Sequence, residues 1–126
     1  MKFSSCDLKC AESPKELGIE NSKLNPFVEA IVKPHLEIII LSLLLEKPMC
    51  GYDIIKTIFS RYGVSLSQGT VYPRLYSLRE EGVLEAGYLR ANMKTKRYSL
   101  TEEGMEITIQ KKAEFNKAIN YVFDQL

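Results

Sequence analysis

Val71, Leu75 and Leu78 recur at spacings of four and three, which places them on one stripe of a helix. Gln68, Thr70, Tyr72, Arg74 and Arg79 lie largely off that stripe. Ser67 stands where an N-cap belongs, its hydroxyl expected to accept from an orphan N–H of the first turn, and Gly82 follows as a left-handed stop. Upstream, residues 38–45 (IIILSLLL) are apolar nearly all round. A helix from about residue 34 to 46 is therefore expected at the centre of the core, with Pro34 at its first position. Tyr52, Ile55, Phe59 and Tyr62, widened by Ile54 and Ile58, predict a second helix over residues 51–62, closed by Gly63. Asn25-Pro26 announces a shorter helix over residues 27–33, with Phe27, Ala30 and Ile31 spaced to pack on something.

After Gly82 the period changes. Residues 83–90 have the β-branched and aromatic content of a strand, and residues 96–100 alternate, with Tyr98 and Leu100 on one side and Arg97 and Ser99 on the other. Ala91-Asn92-Met93 between them reads as a hairpin tip. Thr101 then caps a last helix that reaches Leu126, and Glu102 and Glu103 complement the positive end of its dipole. Along it, Met105, Thr108, Lys112, Phe115, Ile119, Val122 and Leu126 form a heptad seam, imperfect at Thr108 and Lys112. Ile107 and Ile109 are placed to dock on the preceding domain.

The fold class that follows is mainly α with a small β-hairpin: a winged helix-turn-helix with a long C-terminal dimerisation helix. Three parts are expected: an N-terminal arm and short helix over 1–33, a DNA-binding winged helix-turn-helix over 34–100, and a dimerisation helix over 101–126. The helix from Ser67 would read DNA, because an apolar back and a slim polar first turn suit the major groove. An ordinary amphipathic helix with a solvated face has the same pattern, so the surroundings decide. Arg90, Lys94, Lys96 and Arg97 stand around the hairpin tip, with no acidic residue from Ala86 to Leu100. Such a wing can neutralise phosphates.

Composition narrows the reading. The 126 residues carry 17 basic and 16 acidic side chains, a net charge of +1, so a DNA surface must come from local clustering. The chain start shows no secretory pattern, and the longest apolar run is too short for a bilayer, so a soluble, cytoplasmic protein without membrane contact is expected. Cys6, Cys10 and Cys50 are odd in number, which favours free thiols over a disulfide framework, and their spacing is not that of a zinc site. One histidine, no glycine-rich phosphate loop and no paired carboxylates leave little for catalysis. No enzyme activity, cofactor or metal is expected.

Three stretches in this order resemble the PadR-like family of winged helix-turn-helix transcriptional regulators. They are IIILSLLLEKPMCGYDIIKTI (residues 38–58), GTVYPRLYSLREEGVLE (residues 69–85) and KRYSLTEEG (residues 96–104). The middle one follows the family's Gly-Thr-x-Tyr-Pro-x-Leu-x-x-Leu-x-x-x-Gly pattern nearly throughout. A proline belongs only in a first helical turn, so Pro73 argues for a helix start nearer Gly69 than Ser67. The resemblance covers roughly residues 34–105 closely and implies a homodimer on palindromic double-stranded DNA, usually repressing. In some members a small-molecule effector binds at the dimer interface. Carried over by residue, Ser67, Gln68, Thr70, Tyr72 and Arg74 match the recognition face, and Lys94, Lys96 and Arg97 the wing. Phe115, Ile119, Val122 and Leu126 are expected at the dimer interface on their seam. The chain lacks tryptophan, so a Trp-lined drug pocket is absent, and about thirty residues precede the common core. Two alternatives stay open: a winged helix used for protein interaction, and a thiol or metal sensor built on the cysteines.

Overall fold

The computed structural model describes residues 25–88 and 96–126. Helix α1 (Pro26–Val32) is followed by α2 (Leu36–Glu46), β1 (Met49–Cys50), α3 (Gly51–Tyr62), α4 (Gln68–Glu80), β2 (Leu84–Tyr88), β3 (Lys96–Leu100) and α5 (Glu102–Asp124). The three strands form an antiparallel sheet in the order β1-β3-β2.

Helix α2 lies at the centre, burying Leu36, Ile40, Leu41, Leu43 and Leu44. Around it gather Ile54 and Ile58 of α3, Val71, Leu75 and Leu78 of α4, and Leu84, Tyr98 and Leu100 of the sheet. The apolar face of α3 centres on Ile54 and Ile58, and Ile55 and Tyr62 flank it half-buried. The expected stripe through Tyr52 and Phe59 is thus rotated, because α3 must face α2 and α4 together.

One packing face and one helix start differ from expectation. Asn25 caps α1, its Oδ1 accepting from Phe27 N at 3.0 Å. Yet α1 packs through Val28 and Val32, leaving Phe27 74% and Ile31 45% exposed. Pro34 does not open the central helix. It sits in a turn, and α2 begins at Leu36 with His35 as its cap residue. The ring of His35 reaches back to the Ile31 carbonyl at 2.8 Å.

Left-handed glycines end two helices, Gly63 at φ 72° and Gly82 at φ 82°. Strand β1 was not expected: after the Lys47-Pro48 break, Met49 and Cys50 pair with Tyr98 and Arg97. Cys50 also caps α3, its Sγ accepting from Asp53 N at 3.4 Å. Cys50 is disulfide-bonded, so the expectation of free thiols fails at this position. Cys6 and Cys10 lie outside the described residues.

Helix α5 is fastened at its start to the end of α4. Thr101 N donates to Val83 O at 3.0 Å, and Thr101 Oγ1 donates to Gly82 O at 2.7 Å. The same hydroxyl accepts from Gly104 N at 2.9 Å, the expected cap. Of the two isoleucines expected to dock, Ile107 packs on the core and Ile109 is exposed. A bidentate pair, Arg61 to Glu46 at 3.0 and 2.8 Å, joins the C-terminal ends of α2 and α3. It holds the Glu46 carboxyl below its usual range and the Arg61 guanidinium above its own.

Candidate nucleic-acid interface

Helices α3 and α4 and the connector between them form the helix-turn-helix. Val71, Leu75 and Leu78 hold α4 against the core, and Ser67, Gln68, Gly69, Thr70, Pro73 and Arg74 are exposed. The first turn is therefore slim and polar where a groove-entering helix must be. Ser67 is the cap residue, but its side chain does not accept from the backbone. Its Oγ pairs with Thr70 Oγ1 at 3.2 Å, and its carbonyl takes the N–H groups of Thr70 and Val71.

Helix α4 begins at Gln68, so Pro73 lies beyond the first turn and the later start inferred from it is incorrect. The missing proline N–H leaves the Gly69 carbonyl without its usual donor, on the exposed side of the helix.

Tyr72 does not share the exposure of its neighbours. Its ring lies directly over Gly51, where any Cβ would collide with it, and burial pushes its phenol pKa up. Tyr72 thus locks α4 onto the start of α3. Tyr98 is buried on the inner face of the sheet, and its pKa is also raised by burial.

The wing follows from β2 and β3, with Leu84 opposite Leu100 and Tyr88 opposite Lys96. Lys96 and Arg97 are half-buried and point to opposite faces of the sheet. Arg90, Lys94 and the hairpin tip lie outside the described residues. The sequence reading passed over Tyr76 and Tyr88, both exposed near Lys96. Tyr76 was findable, since it stands four residues after Tyr72 and so on the same side of the helix.

On α5, Phe115 is half-buried against the ring of His35, with centroids 5.1 Å apart. Ile119, Val122 and Leu126 continue the same helical face into solvent, and Tyr121 and Phe123 beside them are exposed too. A cavity of about 410 Å³ opens where α5 crosses the turn before α2, lined by Pro34, His35, Ile38, Leu41, Lys111 and Phe115 among others. Lys111 meets Glu37 at its edge at 3.6 Å. Among the described residues no cluster of His, Cys, Asp or Glu could hold a metal ion, and no helix is long and apolar enough to cross a membrane.

A helix-turn-helix followed at once by an antiparallel hairpin, with a buried helix behind both, defines a winged helix-turn-helix protein. The family model described as "Transcriptional regulator PadR-like family" matches residues 40–109. The chain belongs to this family of transcriptional regulators. It is 36% identical over 85 residues to the transcriptional activator GvpE1 of Halobacterium salinarum, an overlap of 67% of this chain and 43% of that protein. The activator GvpE of Haloferax mediterranei is 39% identical over 49 residues, 39% of this chain and 26% of that protein. The chain thus spans less than half the length of the curated relatives it matches. Among solved structures, a PadR family regulator from Clostridium difficile superposes with a TM-score of 0.63 at 30% identity, covering 72% of this chain and 96% of that one. A transcriptional regulator from Clostridium thermocellum gives 0.66 at 25% identity, covering 75% and 93%.

Proposed function

We propose that this regulator binds a specific double-stranded DNA operator as a homodimer. The observation that carries the reading is the first turn of α4. Gln68, Thr70 and Arg74 stand exposed on a helix whose back is fully buried. Arg74 suits a guanine edge, and Gln68 an adenine edge or a phosphate. Ser67 sits at the backbone end of that turn. Tyr72, by contrast, acts through packing, as the ring that sets the tilt of α4. Lys96 and Arg97, with Arg90 and Lys94 towards the tip, supply the phosphate contacts that set affinity and its salt dependence.

Homodimerisation is supported by the apolar face that α5 leaves in water. Ile119, Val122 and Leu126 are apolar and exposed, and so is Phe27 on α1. A second copy covers such faces most simply. It would bring two recognition helices about 34 Å apart, one turn of DNA. Phe115 belongs to the inner edge of that interface. The cavity beside it has the size of a small-molecule site, and an effector bound there would touch both α2 and α5. Repression, implied by the family resemblance, gains no support from the curated relatives, which are named activators. DNA binding is the step common to both outcomes, and the operator's position relative to the promoter sets the sign.

The test is fluorescence anisotropy with the DNA upstream of the protein's own coding sequence, against scrambled DNA, at about 0.15 M salt. The reading expects a preference of about a thousandfold. Lys96→Ala with Arg97→Ala should weaken binding to both DNAs alike and flatten the salt slope. Gln68→Ala or Arg74→Ala should relax base preference. Equal binding of all these variants and the parent would refute it, and would favour a protein-interaction module on the same fold.

A further inference from the structure

Where α4 meets the wing, three polar side chains gather that the recognition turn does not account for. Tyr76 follows Tyr72 by one helical turn, and their rings lie 6.2 Å apart at 47°. The ammonium of Lys96 stands 5.9 Å from the centroid of the Tyr76 ring. Tyr88 is directly opposite Lys96 in the β2–β3 ladder, so both side chains leave the same face of the sheet.

The four tyrosines here divide into two kinds. Tyr72 and Tyr98 are held in packing, and burial raises their pKa values. Tyr76 and Tyr88 stand 50% and 55% exposed at the mouth of the same cluster. Packing explains the first pair and leaves the second unexplained. Lys96 forms no ion pair with any described residue. A ring beneath an ammonium holds its flexible stem, while its N–H groups remain directed at solvent.

We infer that Tyr76, Lys96 and Tyr88 form a seat for one phosphate of the DNA backbone, at the junction of recognition helix and wing. This rests on the DNA-binding reading above. The phosphate oxygens would accept from the Lys96 ammonium and the Tyr76 hydroxyl, and Tyr88 closes the side of the seat. Tyr76 lies eight residues beyond Gln68, about 12 Å along the axis of α4, too far back to read the same base edges. One contact on the helix and one on the wing fix the depth and tilt at which α4 enters the groove. The seat therefore positions the helix without reading sequence.

Tyr76→Phe tests this cleanly, because it removes the hydroxyl and keeps the ring under Lys96. Binding to operator and to scrambled DNA should both weaken about tenfold to a hundredfold, the loss of one hydrogen bond to a charged acceptor. The salt slope should stay at the parent's value, because a neutral donor displaces no counterion. Lys96→Gln should instead lower the slope by about 0.9. Tyr88→Ala, which removes the ring that closes the seat, should act in the same direction as Tyr76→Phe. Circular dichroism melting of each variant checks that the fold is intact. If the parent binds DNA and Tyr76→Phe binds as tightly, the seat is refuted while the DNA-binding reading stands. Weakening confined to the operator would also overturn it, since Tyr76 would then be reading bases. Failure of the parent to bind any DNA would overturn both.

Discussion

Gly104→Ala sets two forces of opposite sign against each other. Gly104 lies in the first turn of α5, where replacing glycine by alanine ordinarily favours a helix by about 1 kcal/mol. Here the added methyl would collide with the carbonyl oxygen of Val83 and crowd Thr101 Oγ1. That carbonyl is backbone, held by the N–H of Thr101, and cannot swing aside. Relief requires α5 to lift, which strains three hydrogen bonds: Thr101 N to Val83 O, Thr101 Oγ1 to Gly82 O, and Gly104 N to Thr101 Oγ1. At about 1 kcal/mol each, their loss costs about 3 kcal/mol. Subtracting the gain in helix propensity leaves about 2 kcal/mol of destabilisation, or roughly 6–10 °C in Tm for a domain of this size. Thermal and urea unfolding of the variant and the parent, at matched protein concentration, measure it. An unchanged or higher Tm would refute the claim that this crossing is backbone-limited, and would leave propensity as the governing effect.

Three further outcomes are expected. Gly51→Ala should displace the Tyr72 ring, costing about 1–3 kcal/mol as overpacking, and should weaken operator binding beyond what the stability loss explains; an unaltered urea midpoint would contradict it. Ile119→Asp combined with Val122→Asp should convert the proposed dimer to a monomer in sedimentation velocity while leaving the far-ultraviolet circular dichroism of the winged domain in place, because both side chains are exposed within one chain. Stability should fall in alkali. Tyr72 and Tyr98 have folded-state pKa values above the unfolded value near 10, so their contribution is whole below about pH 10 and is lost as pH rises through the folded values. Urea midpoints from pH 8 to 11 should decline more steeply for the parent than for Tyr72→Phe with Tyr98→Phe, and equal slopes would refute the assignment.

The elements themselves were legible because each is bounded by local chemistry. Asn25, Gly63, Gly82 and Thr101 mark their ends through side-chain capping or a left-handed backbone, and both are visible in sequence. Helix faces were less so. On α3 the periodicity admits two adjacent stripes, and only the position of α2 selects Ile54 and Ile58. On α1 the larger residues Phe27 and Ile31 suggested the buried face, yet the smaller Val28 and Val32 occupy it. Pro34 and Pro73 misled for a related reason. Both satisfy a rule about first turns, but one sits between helices and the other inside one, at a point where the freed carbonyl is exposed. Strand β1 is two residues long and follows a proline, so it exists only because β3 offers an unpaired edge. At the candidate site, the polar first turn of α4 was readable from spacing, whereas the separate fates of Tyr72 and Tyr76 were not. They differ because Gly51, far back in the sequence at the start of α3, leaves a space that fits one ring.

The fastening of α5 to the end of α4 makes the long helix a lever. Its 23 residues span about 34 Å, and its pivot is the Gly82-Val83-Thr101 junction. In the proposed dimer the far half of each lever is gripped by the other copy. With a free arm of about 17 Å, a tilt of about 10° between the two levers would therefore move the pivot, and the recognition helix with it, by about 3 Å. That is close to the 3.4 Å rise of a single base step. A change too small to disturb either core could thus shift the pair of helices out of step with its half-sites by one base pair.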